Sequence, residues 1–218
     1  MLTDHLLSSL SIAFIIILVL LICMTIFKKI KSPAGKGAIG ENLLKLHLRK
    51  LGTKKYQVLN NVTLPTDDGT TQIDHIVLSP FGLFVIETKN MQGWIFGESH
   101  QAQWTQKFPT QSFSFQNPLR QNYKHTQTLI ESLNLKPSTV HSIIAFHEKA
   151  KFKQPRIQNV LYFNEVVSYI QQHQKTVFST AEISAIHHKI QAIRKPNTRK
   201  TQNDHIQHLK NKHTPKKP

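Results

Sequence analysis

The chain has 218 residues, and its 28 Lys and Arg outnumber 12 Asp and Glu, leaving a formal net charge of +16. That length suits one domain with additions at its ends, and that charge suits a polyanionic partner, nucleic acid or anionic lipid. A single cysteine, Cys23, excludes an intramolecular disulfide and is compatible with a reducing compartment; no Cys/His spacing suits zinc, and no Gly-rich loop is built to cradle phosphates.

From Leu6 to Phe27 the chain carries no charge, a stretch long enough for a helix to cross the hydrocarbon core of a bilayer. No positive residue precedes it and no Ala-x-Ala site follows it, so an anchor is expected in place of a cleaved signal peptide. Only Asp4 and His5 lie before it among ionisable residues, whereas Lys28, Lys29, Lys31 and Lys36 follow. The positive-inside rule then makes this a single-pass protein of the inner membrane with its C-terminal bulk in the cytoplasm. Residues 1–33 are read as anchor and linker, with the linker continuing through Gly37. A helix is expected over Ala38–Leu51, with Ile39, Leu43, Leu46 and Leu48 as its apolar positions and Glu41 in its first turn, where the helix dipole favours an acid. Tyr56–Leu64 reads as a strand and Pro65–Gly69 as a turn.

Thr71–Lys89 is the most informative stretch. Two apolar runs flank Ser79-Pro80-Phe81-Gly82, whose Pro and Gly sit where a turn wants them. Apolar residues occupy both faces of each run, as in buried central strands, yet Asp74, Glu87 and Lys89 lie within them. With an even-numbered loop, Asp74 stands opposite Glu87 and Gln72 opposite Lys89, all on one face. Two opposed carboxylates repel unless a cation separates them. With a one-residue bulge at Gly82, Thr88 instead faces Asp74 and the acids point to opposite faces. The spacing leaves both registers open.

Beyond Lys89, Gly93–Gly97 and Gln101–Thr105 read as short strands and Gln106–Gln116 as a surface loop. Asn117 caps a helix with Pro118 at its first position. That helix is expected to turn Leu119, Tyr123, Ile130 and Leu133 to the core, with Gln121, Lys124, His125 and Thr128 as its polar stripe. Val140–Phe146 and Ile157–Phe163 follow as strands, then helices from Asn164 and from the capping box Ser179-Thr180-Ala181-Glu182. Residues 151–193 complete the domain. Residues 194–218, basic and nearly devoid of apolar side chains, are expected to form a disordered tail directed to anionic lipid or nucleic acid.

The chain resembles the nuclease-related domain family of the PD-(D/E)xK nuclease-like superfamily. The resemblance rests on Gly37–Glu41, Gln72–His75, Phe81–Asn90, Gly93–Gly97, Trp104 and Asn117–Gln121, in the family's order over about residues 34–150. It implies a restriction-endonuclease-like α/β sandwich with a central mixed sheet, preceded here by one transmembrane helix. It implies hydrolysis of DNA or RNA with Mg²⁺ or Mn²⁺ held by Asp74, Glu87 and the Thr88 carbonyl. Lys89 would act on the attacking water, Glu41 as a further acid, and Gln72 and Gln121 on water or phosphate. The Gln-x-x-x-Tyr pattern of many superfamily repair nucleases is absent, which leaves exo- or endonucleolytic polarity open. The competing expectation is an inactive module of the same fold that binds nucleic acid or a protein at the membrane.

Overall fold

A computed structural model describes residues 15–28 and 32–213. The chain falls into two compact units, Met1–Ile39 and Gly40–Pro218. In the first, residues 15–28 are helical with exposed side chains. The expected span began at Leu6, and residues 6–14 lie outside the described residues. Among the described residues no helix is long and apolar enough to cross a membrane.

Helix α1 (Pro33–Leu48) starts five residues earlier than its composition suggests, so the expected linker is helical. Leu44, Leu48 and the following Leu51 are buried, while Ile39 and Leu46 are exposed. The buried stripe follows the helical period from Gly40 through Leu44 to Leu48, and the apolar positions chosen from the sequence straddled it.

The main sheet has five strands: β1 (Gln57–Thr66), β2 (Gly69–Ser79), β3 (Gly82–Lys89), β7 (Val140–Phe146) and β9 (Val160–Tyr162), in that spatial order. The first three pair antiparallel, whereas β3 with β7 and β7 with β9 are parallel. The sheet is therefore mixed and the fold α/β. A second sheet joins β4 (Gly93–Phe96), β5 (Gln103–Lys107), β6 (Ser112–Gln116) and β8 (Ala150–Phe152). Its β6 occupies much of the stretch expected to be loop. There Ser112, Phe113, Ser114 and Phe115 alternate and pair across to β5.

Four helices of the second unit follow: α2 (Pro118–Leu133), α3 (Phe163–Gln171), α4 (Thr180–Ile193) and α5 (Arg199–His213). On one face of the main sheet, Leu44 and Leu48 of α1 and Phe163, Val166 and Ile170 of α3 pack with Val77, Phe84 and Ile86. On the other, Leu129 and Leu133 of α2 and Ile183, Ile186 and Ile190 of α4 pack with Ile76, Leu78, Leu83 and Val85. Each such side chain contributes about 1.5–3 kcal/mol when taken fully from water. Strand β3 thus sends alternate side chains into two cores, which makes it the axis of the domain.

The tail is a correction. Residues 199–213 form α5, and His205 Nδ1 lies 2.8 Å from Thr70 Oγ1 at the start of β2. A docked side chain and an Asp204–Lys200 pair one turn apart (2.9 Å) support a helix that composition alone would not. Residues 214–218 lie outside the described residues.

Candidate functional site

The hairpin adopts the even register: Ser79 pairs with Gly82, Leu78 with Leu83 and His75 with Ile86. Gly82 has φ of 146°, in the region that favours glycine, and a Cβ there would meet the His141 ring at 2.7 Å. The regular ladder stops at His75. Beyond it Thr88 N–H donates to Asp74 Oδ2 at 2.8 Å, so the aspartate side chain replaces a ladder bond.

Strand β2 also changes face at Asp74. Strict alternation would send Ile73 and Ile76 to opposite sides, but both enter the same core. The cause lies on β1, where the pairing skips from Asn60–His75 to Val62–Ile73 and the intervening Asn61 takes a left-handed φ of 51°. Gln72 consequently does not join the acids. Its ladder partner is Thr63, and its side chain takes no part in the hydrogen bonds that join Glu87, Lys89, Gln121 and His125. The expectation that Gln72, Asp74, Glu87 and Lys89 share one face fails at that residue.

Glu87 is the centre of the site. It is 3% exposed, and both its oxygens are engaged. Lys89 Nζ donates to Oε1 at 2.7 Å, and His125 Nε2 lies 3.2 Å from Oε2. A carboxylate only accepts, so Nε2 carries the hydrogen of that contact. His125 Nδ1 in turn lies 2.7 Å from Thr71 Oγ1 on β2. Lys89 Nζ also donates to Gln121 Oε1 at 2.9 Å, so α2 supplies two of the partners, Gln121 and His125, one turn apart. Asn122 fixes the helix: its Nδ2 lies 2.9 Å from Val85 O, 2.8 Å from Ser142 Oγ and 3.2 Å from Ile143 O.

Glu41 arrives from α1. A Cβ at Gly40 would overlap Asn90, directly after β3, so only glycine lets the helix come this close. Because the helix starts at Pro33, Glu41 lies well inside it and not in its first turn, and the dipole explanation for an acid there does not apply.

The electrostatics separate the three acids. Burial alone would raise Glu87, but the Lys89 charge and the His125 hydrogen bond outweigh it and hold the carboxyl at about 2. Asp74 moves the other way: burial, then the charges of Glu87 and Glu41, push it well above the usual carboxylate range. Glu41 is also raised, by burial and by Glu87. One acid is ionised and paired, and two are crowded by it. His75, across from Asn60, is depressed to about 4 by burial and by the Lys45 charge.

Neither His125 nor Asn122 was singled out by sequence reasoning, which assigned His125 to the outward polar stripe of α2. The inward face carries Asn122, His125, Thr126 and Leu129, whereas Tyr123 is 64% exposed. One signal was available: His125 is the fourth residue after Gln121, the place of Tyr in the Gln-x-x-x-Tyr pattern. Trp104 is buried in the core, its Nε1 donating to Glu98 O at 3.0 Å, and Trp94 lies at the surface under Lys153.

A mixed-sheet α/β domain with a buried Glu–Lys pair on its central strand, flanked by two further acids, is the architecture of a nuclease-like protein. The nuclease-related domain model matches residues 36–147, and the chain belongs to that family. An uncharacterized protein of Bacillus anthracis is 42% identical over 181 residues, covering 81% of this chain and 84% of that one. No solved structure matches. Family membership gives the domain a nuclease-like character.

Proposed function

We propose that the protein is a metal-dependent nuclease, held at the cytoplasmic face of the inner membrane by residues 6–27, that hydrolyses phosphodiester bonds of DNA or RNA. The observation that carries this reading is the buried Glu87–Lys89 pair with Asp74 and Glu41 beside it. A binding module has no physical need for three acids crowded around one lysine. The order α1, β1–β3, α2, β7 supports the restriction-endonuclease-like core that the family resemblance implies.

The donor set fits a hard divalent cation. Burial, and after it the neighbouring negative charge, raises the pKa values of Asp74 and Glu41, and carboxylate oxygens are what Mg²⁺ or Mn²⁺ takes. Asp74, Glu87 and the Thr88 carbonyl would hold the ion, which supplies charge relief on the phosphate and a more acidic bound water. Among the described residues no group of three or more His, Cys, Asp or Glu could hold a metal ion as it stands. Lys89 has three N–H donors and spends two on Glu87 and Gln121, so the third is available to orient a water or meet developing charge. Gln121 holds that ammonium in place, and His125 holds Glu87.

One observation favours a second reading, a catalytically inactive module that binds nucleic acid or a protein. Glu87 already has both oxygens satisfied by Lys89 and His125. The deciding experiment incubates the full-length protein and its Glu87→Gln variant with labelled DNA and RNA, in Mg²⁺, Mn²⁺ or EDTA. Cleavage by wild type alone, abolished by EDTA, supports the nuclease. Equal cleavage by both proteins places the activity elsewhere, and no cleavage of any substrate with either metal leaves the module.

A further inference from the structure

Behind the acids, on the side of β1, lies an open pocket of about 630 Å³. Its lining includes Lys45 of α1, Asn60 and Asn61 of β1, and Arg194, Lys195 and Asn197 of the connection from α4 to α5; no acidic side chain lines it. Lys45, Arg194 and Lys195 form no ion pair among the described residues, although the Lys–acid pairs elsewhere show how readily this chain makes them. Three uncompensated cations in one concavity repel one another, and an anion relieves that.

The pocket is built. Arg194 Nη2 lies 3.1 Å from Asn61 O and 3.4 Å from Asn60 O, and Lys195 N–H donates to Thr63 O at 2.8 Å. The end of α4 is thereby tied to the one distorted point of β1. That point is the place opposite Asp74 where Asn61 turns left-handed. Lys45 stands one helical turn beyond Glu41 on α1. The pocket and the acids therefore share α1, one turn apart, and meet across the β1–β2 pair, where Asn61 stands opposite Asp74.

From this geometry we infer that the pocket binds a backbone phosphate of the nucleic-acid strand, flanking the phosphodiester presented to Asp74, Glu87 and Lys89. Arg194 supplies a guanidinium already oriented by the two carbonyls, and such a fork matches a phosphate in a way a lone lysine does not. Lys45 and Lys195 add charge from either side. Asn60, Asn61 and Asn197 line the same cavity with amides that suit phosphate and sugar oxygens. A strand held here has its backbone fixed beside the acids with no base-specific contact, which predicts sequence-independent binding. The inference rests on the nuclease reading for the identity of the anion.

The test uses the full-length protein in EDTA, so that binding is read without cleavage. The affinity for a labelled oligonucleotide is measured against salt for wild type, for the double variant Lys45→Gln/Lys195→Gln, and for a charge-matched control, Lys151→Gln/Lys175→Gln. Both pocket lysines are exposed and hold no other side chain, so the fold should survive their loss. The slope of log K against log salt should flatten by about 0.9 for each lysine that meets a duplex phosphate, or about 0.7 for a single strand. The control should keep the wild-type slope. Unchanged affinity and slope in the pocket variant, or equal losses in pocket variant and control, would overturn the inference. Loss of binding to phosphatidylglycerol vesicles with nucleic-acid binding intact would overturn it too, by assigning the pocket to lipid. Cleavage is scored separately: a wild type that cleaves with an unchanged pocket slope sinks the pocket alone, whereas a flattened slope with no cleavage keeps the pocket and sinks the nuclease.

Discussion

Lys89 Nζ lies 2.7 Å from Glu87 Oε1, two residues back along the same strand face, with both side chains largely withdrawn from solvent. Successive side chains on a strand alternate, so only the i, i+2 spacing permits this contact within β3. The pair holds Glu87 ionised at the price of leaving Asp74 and Glu41 to share a site with a fixed negative charge.

Lys89→Ala should slow cleavage by about a hundredfold or more, as expected for loss of a positioned charge. Metal affinity should persist, since lysine is no ligand. Single-turnover rates together with calorimetric metal titration separate the two effects. Parallel loss of rate and metal binding would show that Lys89 instead organises Glu87 as a ligand.

Asp74→Asn should stabilise the metal-free protein at neutral pH. The folded pKa of Asp74 is raised, so its contribution is fully present below the unfolded value and is lost as pH rises through the folded value. Glu87 runs oppositely: its contribution is present above the unfolded value near 4.5 and is lost as pH falls toward about 2. Melting temperatures from pH 4 upward should therefore fall with pH in wild type more than in Asp74→Asn. Each kcal/mol corresponds to about 2–4 °C at this chain length. Identical profiles for the two proteins would contradict the assignment.

His125→Ala leaves Glu87 Oε2 and Thr71 Oγ1 without their partner inside the domain. The cost should be about 1–3 kcal/mol, the penalty of an orphaned buried polar group. Urea denaturation measures it, and His125→Gln should recover part of the loss. A variant as stable as wild type would mean that water fills the gap without penalty.

Gly40→Ala adds a Cβ where Asn90 stands. Alanine favours helix over glycine by about 1 kcal/mol, so propensity alone predicts a gain. The overlap should reverse that sign, costing about 1–3 kcal/mol by overpacking and drawing Glu41 away from β3. Denaturation against urea reads the sign directly.

A C-terminal alkaline phosphatase fusion should be inactive and a C-terminal fluorescent protein bright, because the lysines after Phe27 set the orientation. The reverse pattern would place the domain outside the cytoplasm.

Strands were legible where their side chains are. β3 and β7 carry unbroken apolar runs, Leu83–Ile86 and Ile143–Phe146, and the turn chemistry of Pro80 and Gly82 marks the hairpin that sets the register of β2 against β3. The Glu87–Lys89 contact follows from the i, i+2 spacing within β3 alone. What spacing could not show is the change of face at Asp74, because its cause sits on β1 in the conformation of Asn61. Gln72 was misplaced for that reason. Helix α2 was read by hydrophobicity, which failed because its buried face carries Asn122 and His125 for polar partners on β2, β3 and β7, and Thr126, whose hydroxyl donates to Tyr123 O of the helix itself. The fold of α5 depends on a long-range contact, His205 to Thr70, that no local composition reports.

The Asn122 clamp makes α2 behave as a keyed shaft. One amide reaches carbonyls on two adjacent parallel strands, Val85 on β3 and Ile143 on β7, so the helix can neither slide nor turn without losing both. Each residue inserted or deleted between the Asn117 cap and Asn122 would rotate everything downstream by about 100°. Such a rotation swings His125 off Glu87 and drives the exposed Tyr123 toward the sheet. The number of residues in the first turns of α2 is thus as strictly set as any side chain in the site.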